Sequence, residues 1–144
     1  IYDMFPVDST VRTGMVTGKQ IWEWLEKEMH NVFAKDASER FGGWVIKFKG
    51  MKVTFNAFGE KGKRVQTVSI GNAALDLNKM YKICACERRN VANANNTHHT
   101  LHSVMRDYLA TNSPVTPTPP ENADILDAPQ TLLTQVTGVD YQFH

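Results

Sequence analysis

The stretch Thr17-Gly18-Lys19-Gln20-Ile21-Trp22-Glu23-Trp24-Leu25-Glu26, followed by Phe41-Gly42-Gly43-Trp44-Val45-Ile46-Lys47-Phe48-Lys49-Gly50-Met51-Lys52-Val53-Thr54-Phe55, decides how the chain is read. Thr17 and Gln20 match a Thr-x-x-Gln capping box, in which each side chain satisfies an orphaned backbone N–H at a helix start. Ile21, Leu25, Met29 and Val32 recur at helical spacing, and Trp22 and Phe33 widen the apolar stripe. This spacing predicts a helix over residues 17–33, with Glu23, Glu26 and Lys27 on its other faces. Trp44, Ile46 and Phe48 share one strand face, whereas Met51, Val53 and Phe55 take over beyond Lys49-Gly50. That switch of parity predicts a bulge or bend at Gly50.

Working outward, Met4-Phe5-Pro6-Val7 reads as an extended segment, and Val11, Thr13 and Met15 alternate with Arg12 and Gly14 as a half-buried strand. Asn56–Gly62 supplies a turn; Arg64–Ile70 follows as a strand with Val68 and Ile70 on one face and Val65 on the other. Gly71-Asn72 and Leu75–Lys79 are turns, and Met80–Cys86 is a strand with Tyr81, Ile83 and Ala85 opposite Cys84 and Cys86. Asn90–Asn96 is a polar loop, after which Thr97 is expected to cap a second helix carrying Leu101, Val104, Met105, Tyr108 and Leu109. Four prolines between Asn112 and Pro120 demand an extended linker. Asp127-Ala128-Pro129 is read as opening a short helix through Val136, with Val139, Tyr141 and Phe143 as a last strand. The fold class is α+β, a largely antiparallel sheet with two main helices. Residues 1–120 form the domain, and residues 121–144 a C-terminal extension packed on it.

The 144 residues suffice for one core without disulfide or metal staples. Hydrophobic residues make up 42% and charged residues 22%, values that exclude the disordered class. No apolar run approaches the roughly 20 residues of a membrane span. A chain that opens on Ile rather than Met is expected to be a fragment or a processed product, and no signal peptide is visible. Net charge is +1, but residues 35–89 hold 12 Lys/Arg against 5 Asp/Glu. A basic middle suits an anionic ligand, although most of its lysines are read as the solvent side of strands. With no recognised motif for it, nucleic acid is not expected as a partner.

Three clusters are candidates for chemistry. His98, His99 and His102 would place an i,i+4 pair on the second helix, a spacing able to hold a metal with Cys84 and Cys86 in reach. The helix lacks the glutamate of a zincin and the chain lacks a second cysteine pair, so solvated or core-edge histidines, free core thiols and no metal site are the favoured reading. Arg88, Arg89 and Asn90 follow the Met80–Cys86 strand, where guanidinium forks and an amide suit a phosphate or sulfate oxyanion. Phe41, Gly42 and Gly43 join an aromatic face to two residues without side chains, which lets a base or sugar approach and stack.

The order of blocks along the chain resembles the C-terminal domain of the 5'-nucleotidase family. Tyr2-Asp3-Met4-Phe5-Pro6-Val7 and Val16-Thr17-Gly18-Lys19-Gln20-Ile21, ending at Leu25-Glu26, are similar to its first strand and its Leu-Thr-Gly-x-x-Leu helix. Phe41-Gly42-Gly43 with Phe48–Phe55, Gly62-Lys63-Arg64-Val65 with Val68–Gly71, Leu75-Asp76 with Tyr81-Lys82-Ile83, and Tyr108-Leu109 to Pro114 continue the match over roughly residues 2–120. The resemblance implies a recognition domain that is not catalytic alone. Its partner would be an N-terminal metallophosphatase domain of the same polypeptide, carrying two divalent metal ions and the reaction. The expected substrate is an anionic small molecule, a nucleotide or other phosphate ester, and the expected compartment is periplasmic or extracellular. Phe41 matches the first of two base-stacking aromatics; where the family carries a Gly-Gly-Asp-Gly-Phe/Tyr loop with the second, this chain has Glu87-Arg88-Arg89-Asn90-Val91-Ala92-Asn93. The family's Asn-Gly-Gly-x-Arg segment would precede Ile1. A sister branch, the thiosulfohydrolases of sulfur oxidation, shares the two-domain plan and fits the same residues; a binding module with a decayed pocket is the third reading.

Overall fold

The computed structural model describes residues 1–41, 48–84, 95–116 and 123–127. In chain order its elements are β1 (Thr10–Thr17), α1 (Gly18–Phe33), a 3-10 turn (Ala37–Glu39), β2 (Met51–Phe55), β3 (Val65–Ile70), β4 (Ala73–Ala74), β5 (Met80–Cys84), β6 (Asn95–Thr100), α2 (Leu101–Asn112) and β7 (Ala123–Ile125). The chain divides into two compact units, Ile1–Ile21 with Asp76–Pro120, and Trp22–Leu75 with Glu121–His144. The fold class is α+β; among the described residues every strand pair is antiparallel except β2 with β7.

In the first unit β1 is the central strand of a three-stranded sheet, order β5-β1-β6. The alternation in the sequence is ambiguous here because Met15 and Val16 are both apolar. Cross-strand partners decide it: Gly14 faces Ile83 and Val16 faces Tyr81, so Gly14 and Val16 are buried while Met15 is exposed. The expected inward face of Val11, Thr13 and Met15 is therefore corrected. The same register corrects Cys84. It pairs with Thr13 on the side of Lys82 and Met80, and its thiol is free but exposed rather than in the core. Cys86 lies outside the described residues.

At the entry to α1 the capping box forms as expected. The Thr17 N–H donates to Gln20 Oε1 at 2.8 Å, and the Gln20 N–H to Thr17 Oγ1 at 3.2 Å. Gly18 is dictated by space: its N–H donates to the Lys79 carbonyl at 3.0 Å, and a Cβ there would fall on the Asp76 carbonyl oxygen. The N-terminal segment is a turn rather than extended, with the Met4 and Phe5 N–H groups both donating to the Ile1 carbonyl.

The second helix starts later than the Thr97 cap implies. Asn95 and Asn96 pair with Thr13 and Arg12, and the Thr97 hydroxyl donates to the Val11 carbonyl at 2.6 Å. With that side chain engaged by the sheet, Thr100 becomes the cap. The Ser103 N–H donates to Thr100 Oγ1 at 3.3 Å and the Thr100 N–H to Ser103 Oγ at 3.0 Å, a capping box one turn further on.

The second unit holds a four-stranded sheet, order β4-β3-β2-β7. Gly50, at φ +82°, turns the chain into β2, and its carbonyl accepts from the Gly71 N–H at 3.0 Å. This is the bend expected there. Thr54 pairs with Thr67 but Phe55 with Val65, so Gln66 is an extra residue on β3. That bulge brings Val65 onto the buried face with Val68, correcting their assignment to opposite faces. Leu25, Met29, Val53, Phe55, Val65 and Val68 are buried, and the Phe33 and Phe55 rings meet at 5.7 Å.

The edge strand β7 has no counterpart in the sequence reading. It runs parallel to β2; the Leu126 N–H donates to the Phe55 carbonyl at 2.9 Å, and Asp127 accepts from the Ala57 and Phe58 N–H groups at 2.6 and 2.8 Å. The Trp44–Lys47 part of the expected strand, the helix over residues 128–136 and the final strand lie outside the described residues.

Candidate functional site

Phe41 is the one expected site residue that the structure describes. It stands 76% exposed, two residues beyond the 3-10 turn that follows α1. Gly42, Gly43, Arg88, Arg89 and Asn90 lie outside the described residues.

The segment between α1 and Phe41 is tied down at successive points. The Ala34 N–H continues the helix to the His30 carbonyl at 2.9 Å. Arg40 Nε donates to the Ala34 carbonyl at 2.7 Å, covering an acceptor that a helix end leaves orphaned. Asp36 caps the turn: Oδ1 accepts from the Ser38 N–H and the Ser38 hydroxyl, both at 2.8 Å. The Ser38 backbone N–H, then its hydroxyl, hold the Asp36 carboxyl below its ordinary value. Finally the Phe41 N–H donates to the Asn31 carbonyl at 3.0 Å. An exposed aromatic on a fixed backbone offers a ring face without first having to be ordered.

Against this segment packs a cluster built around the buried Arg64, which no periodicity in the sequence announces. Arg64 is 3% exposed. Its Nε donates to the Ala57 carbonyl at 3.1 Å, its Nη2 to the Phe33 carbonyl at 3.3 Å, and its Nη1 lies 3.3 Å from His30 Nδ1. His30 Nε2 in turn lies 3.5 Å from Glu39 Oε2, and Glu39 Oε1 lies 3.6 Å from Lys61 Nζ. Glu26, expected off the apolar stripe on one of the helix's other faces, is buried: Oε2 accepts from the Arg64 N–H at 3.1 Å and Oε1 from the Val65 N–H at 2.8 Å. A buried carboxylate is tolerated because both oxygens are satisfied by backbone donors at the start of β3. The only sequence signal was the block Gly62-Lys63-Arg64-Val65, and nothing in it said which way Arg64 points.

The histidine candidate for a metal comes apart. His98 and His99 sit on β6, whereas His102 opens α2, so there is no i,i+4 pair on one helix. His102 is buried; its Nε2 lies 2.6 Å from the Phe5 carbonyl and its Nδ1 3.6 Å from Asp8 Oδ2, with Tyr2 edge-on at 4.8 Å. Asp8 Oδ1 also accepts the His102 N–H at 2.9 Å, and that bond leads the causes holding the Asp8 carboxyl below its ordinary value. These contacts fasten the N-terminal turn to α2. Among the described residues no group of three His, Cys, Asp or Glu is placed to hold a metal.

Residues 1–87 match the family model described as 5'-nucleotidase, C-terminal domain. The chain belongs to that family. Among solved structures it is similar to a sulfate thiohydrolase SoxB of Thermus thermophilus determined with glycerol: TM-score 0.73 at 24% identity, covering 85% of this chain and 23% of that one. A 5'-nucleotidase of Staphylococcus aureus determined with alpha-ketoglutarate gives 0.64 at 18% identity, covering 86% and 28%. A 5'-nucleotidase precursor, also of Thermus thermophilus, gives 0.60 at 19% identity, covering 89% and 27%. At these identities the likeness is one of fold, and this chain spans about a quarter of each relative. No curated protein sequence matches the chain significantly. Among the described residues no helix is long and apolar enough to cross a membrane.

Proposed function

We propose that this member of the 5'-nucleotidase C-terminal family is the substrate-recognition domain of a two-domain, metal-dependent hydrolase acting on nucleotides or other phosphate esters, and that it turns over nothing alone. The observation that carries the reading is Phe41, exposed and held by its backbone within the family match. In this reading its ring stacks on the base, and Gly42 and Gly43 let the ligand approach. Arg88, Arg89 and Asn90 meet the anionic end. Two divalent ions and the bond cleavage belong to an N-terminal metallophosphatase domain of the same polypeptide. The substrate is a small anion rather than nucleic acid, and the compartment periplasmic or extracellular.

A second reading makes the parent a thiosulfohydrolase of sulfur oxidation. Glu87-Arg88-Arg89-Asn90, standing where nucleotidases carry their second aromatic loop, favours it. The chain mixed with AMP and added manganese or zinc is expected to release no phosphate; robust turnover contradicts the proposal. Titrating the full polypeptide with AMP, a UDP-sugar and thiosulfate separates the readings: nucleotide binding supports the first and thiosulfate binding the second. Binding of none would mean a decayed pocket and would contradict both.

A further inference from the structure

The cluster around Arg64 has an order imposed by its donors. A guanidinium carries only donors, so at the 3.3 Å contact between Arg64 Nη1 and His30 Nδ1 the histidine must accept. A neutral ring that accepts at Nδ1 carries its proton on Nε2, and Nε2 is the atom facing Glu39. Arg64 itself cannot turn away, because Ala57 and Phe33 carbonyls hold two other nitrogens of the guanidinium and Glu26 holds its main chain. The buried arginine thus fixes a histidine tautomer, and that tautomer turns its N–H toward Glu39 Oε2 across a long 3.5 Å contact, in a turn two residues from the exposed ring.

We infer that His30 and Glu39 are positioning residues for Phe41: His30, set by Arg64, tethers the Ala37–Glu39 turn through Glu39 and so fixes where the aromatic face stands. The inference rests on the reading of Phe41 as the ligand-contacting ring. Glu39 is well suited to the role, since its side chain is 48% exposed and reaches both His30 and Lys61 from the turn. Without that tether the turn is left to its local bonds, those of Asp36 with Ser38 and Glu39 and of Arg40 with Ala34, Lys35 and Ala37, to the Phe41 amide bond to Asn31 and, while Glu39 is present, to its exposed 3.6 Å contact with Lys61. A stacking platform loses affinity when its backbone must be ordered on binding.

The test uses the whole chain, with amide hydrogen exchange at Phe41 read beside the affinity for AMP. Glu39→Ala and His30→Leu are expected to speed Phe41 exchange roughly tenfold and weaken AMP binding about fivefold. Because Glu39 is half exposed, the melting temperature of Glu39→Ala should stay within about 2 °C of wild type, which separates positioning from general destabilisation. His30→Gln is expected to rescue both readouts: its amide oxygen accepts from Arg64 and its NH2 donates to Glu39. Unchanged Phe41 exchange in Glu39→Ala, or His30→Gln as damaging as His30→Leu, overturns the inference. If instead Phe41→Ala leaves AMP affinity unaltered, the functional reading of Phe41 fails, while the exchange data still decide the tether.

Discussion

Glu26 reaches Arg64 through the main chain: its Oε2 accepts the Arg64 N–H at 3.1 Å while its Oε1 accepts the neighbouring Val65 N–H at 2.8 Å. One helix side chain thereby fixes the start of β3 and the position of a buried guanidinium. Glu26→Gln replaces one acceptor oxygen by a donor and sets it against a backbone N–H. The expected loss is about 2–3 kcal/mol by denaturant unfolding, charge-assisted bonds and an unsatisfied buried group both contributing.

Leu25 is fully buried in the second unit, at 0% exposure. Leu25→Ala is expected to cost about 2–5 kcal/mol, measured by the same unfolding curves, with the spread set by how far Met29 and its neighbours can close the cavity.

The two positions of the Thr17-Gly18 pair act by different physics. Thr17→Ala removes a helix cap and should cost about 1 kcal/mol. Gly18→Ala should cost more, because a Cβ there falls on the Asp76 backbone carbonyl and not on a side chain that can swing aside. A thermal melt series that ranks Thr17→Ala as the more damaging of the two contradicts this account.

Asp8 and Asp36 give the pH dependence a sign. Both carboxyls are held below their ordinary 3.8 by backbone N–H groups, of His102 and Ser38 respectively. Their contribution to stability is therefore present above that value and is lost as pH falls through the lower, folded one. Between pH 5 and pH 2 (about the range over which carboxylates titrate), Asp8→Asn and Asp36→Asn should each flatten the fall in stability. A slope equal to wild type contradicts the role given to these bonds.

What the sequence made legible was local. The Thr17–Gln20 box, the apolar stripe of α1 and the bend at Gly50 depend on residues within a few positions of one another. What it concealed depends on partners far along the chain. Val65 joins Val68 only because β3 carries an extra residue against β2. Thr97 loses its capping role to Val11, and Glu26 is buried because two amides of β3 await it. β7 comes after the prolines in the sequence, and no periodicity announces its pairing with β2. Of the candidate site, the sequence offers Phe41 as an aromatic beside glycines, whereas the Arg64–His30–Glu39 chain carries no spacing signature.

The claim that this is a recognition domain turns on Phe41, and calorimetric titration of the chain with AMP tests it most directly. Wild type is expected to bind and Phe41→Ala to bind about 5- to 100-fold more weakly, the range found when a base loses its stacking ring. Equal affinity in the two proteins, or no AMP binding by wild type, contradicts the account.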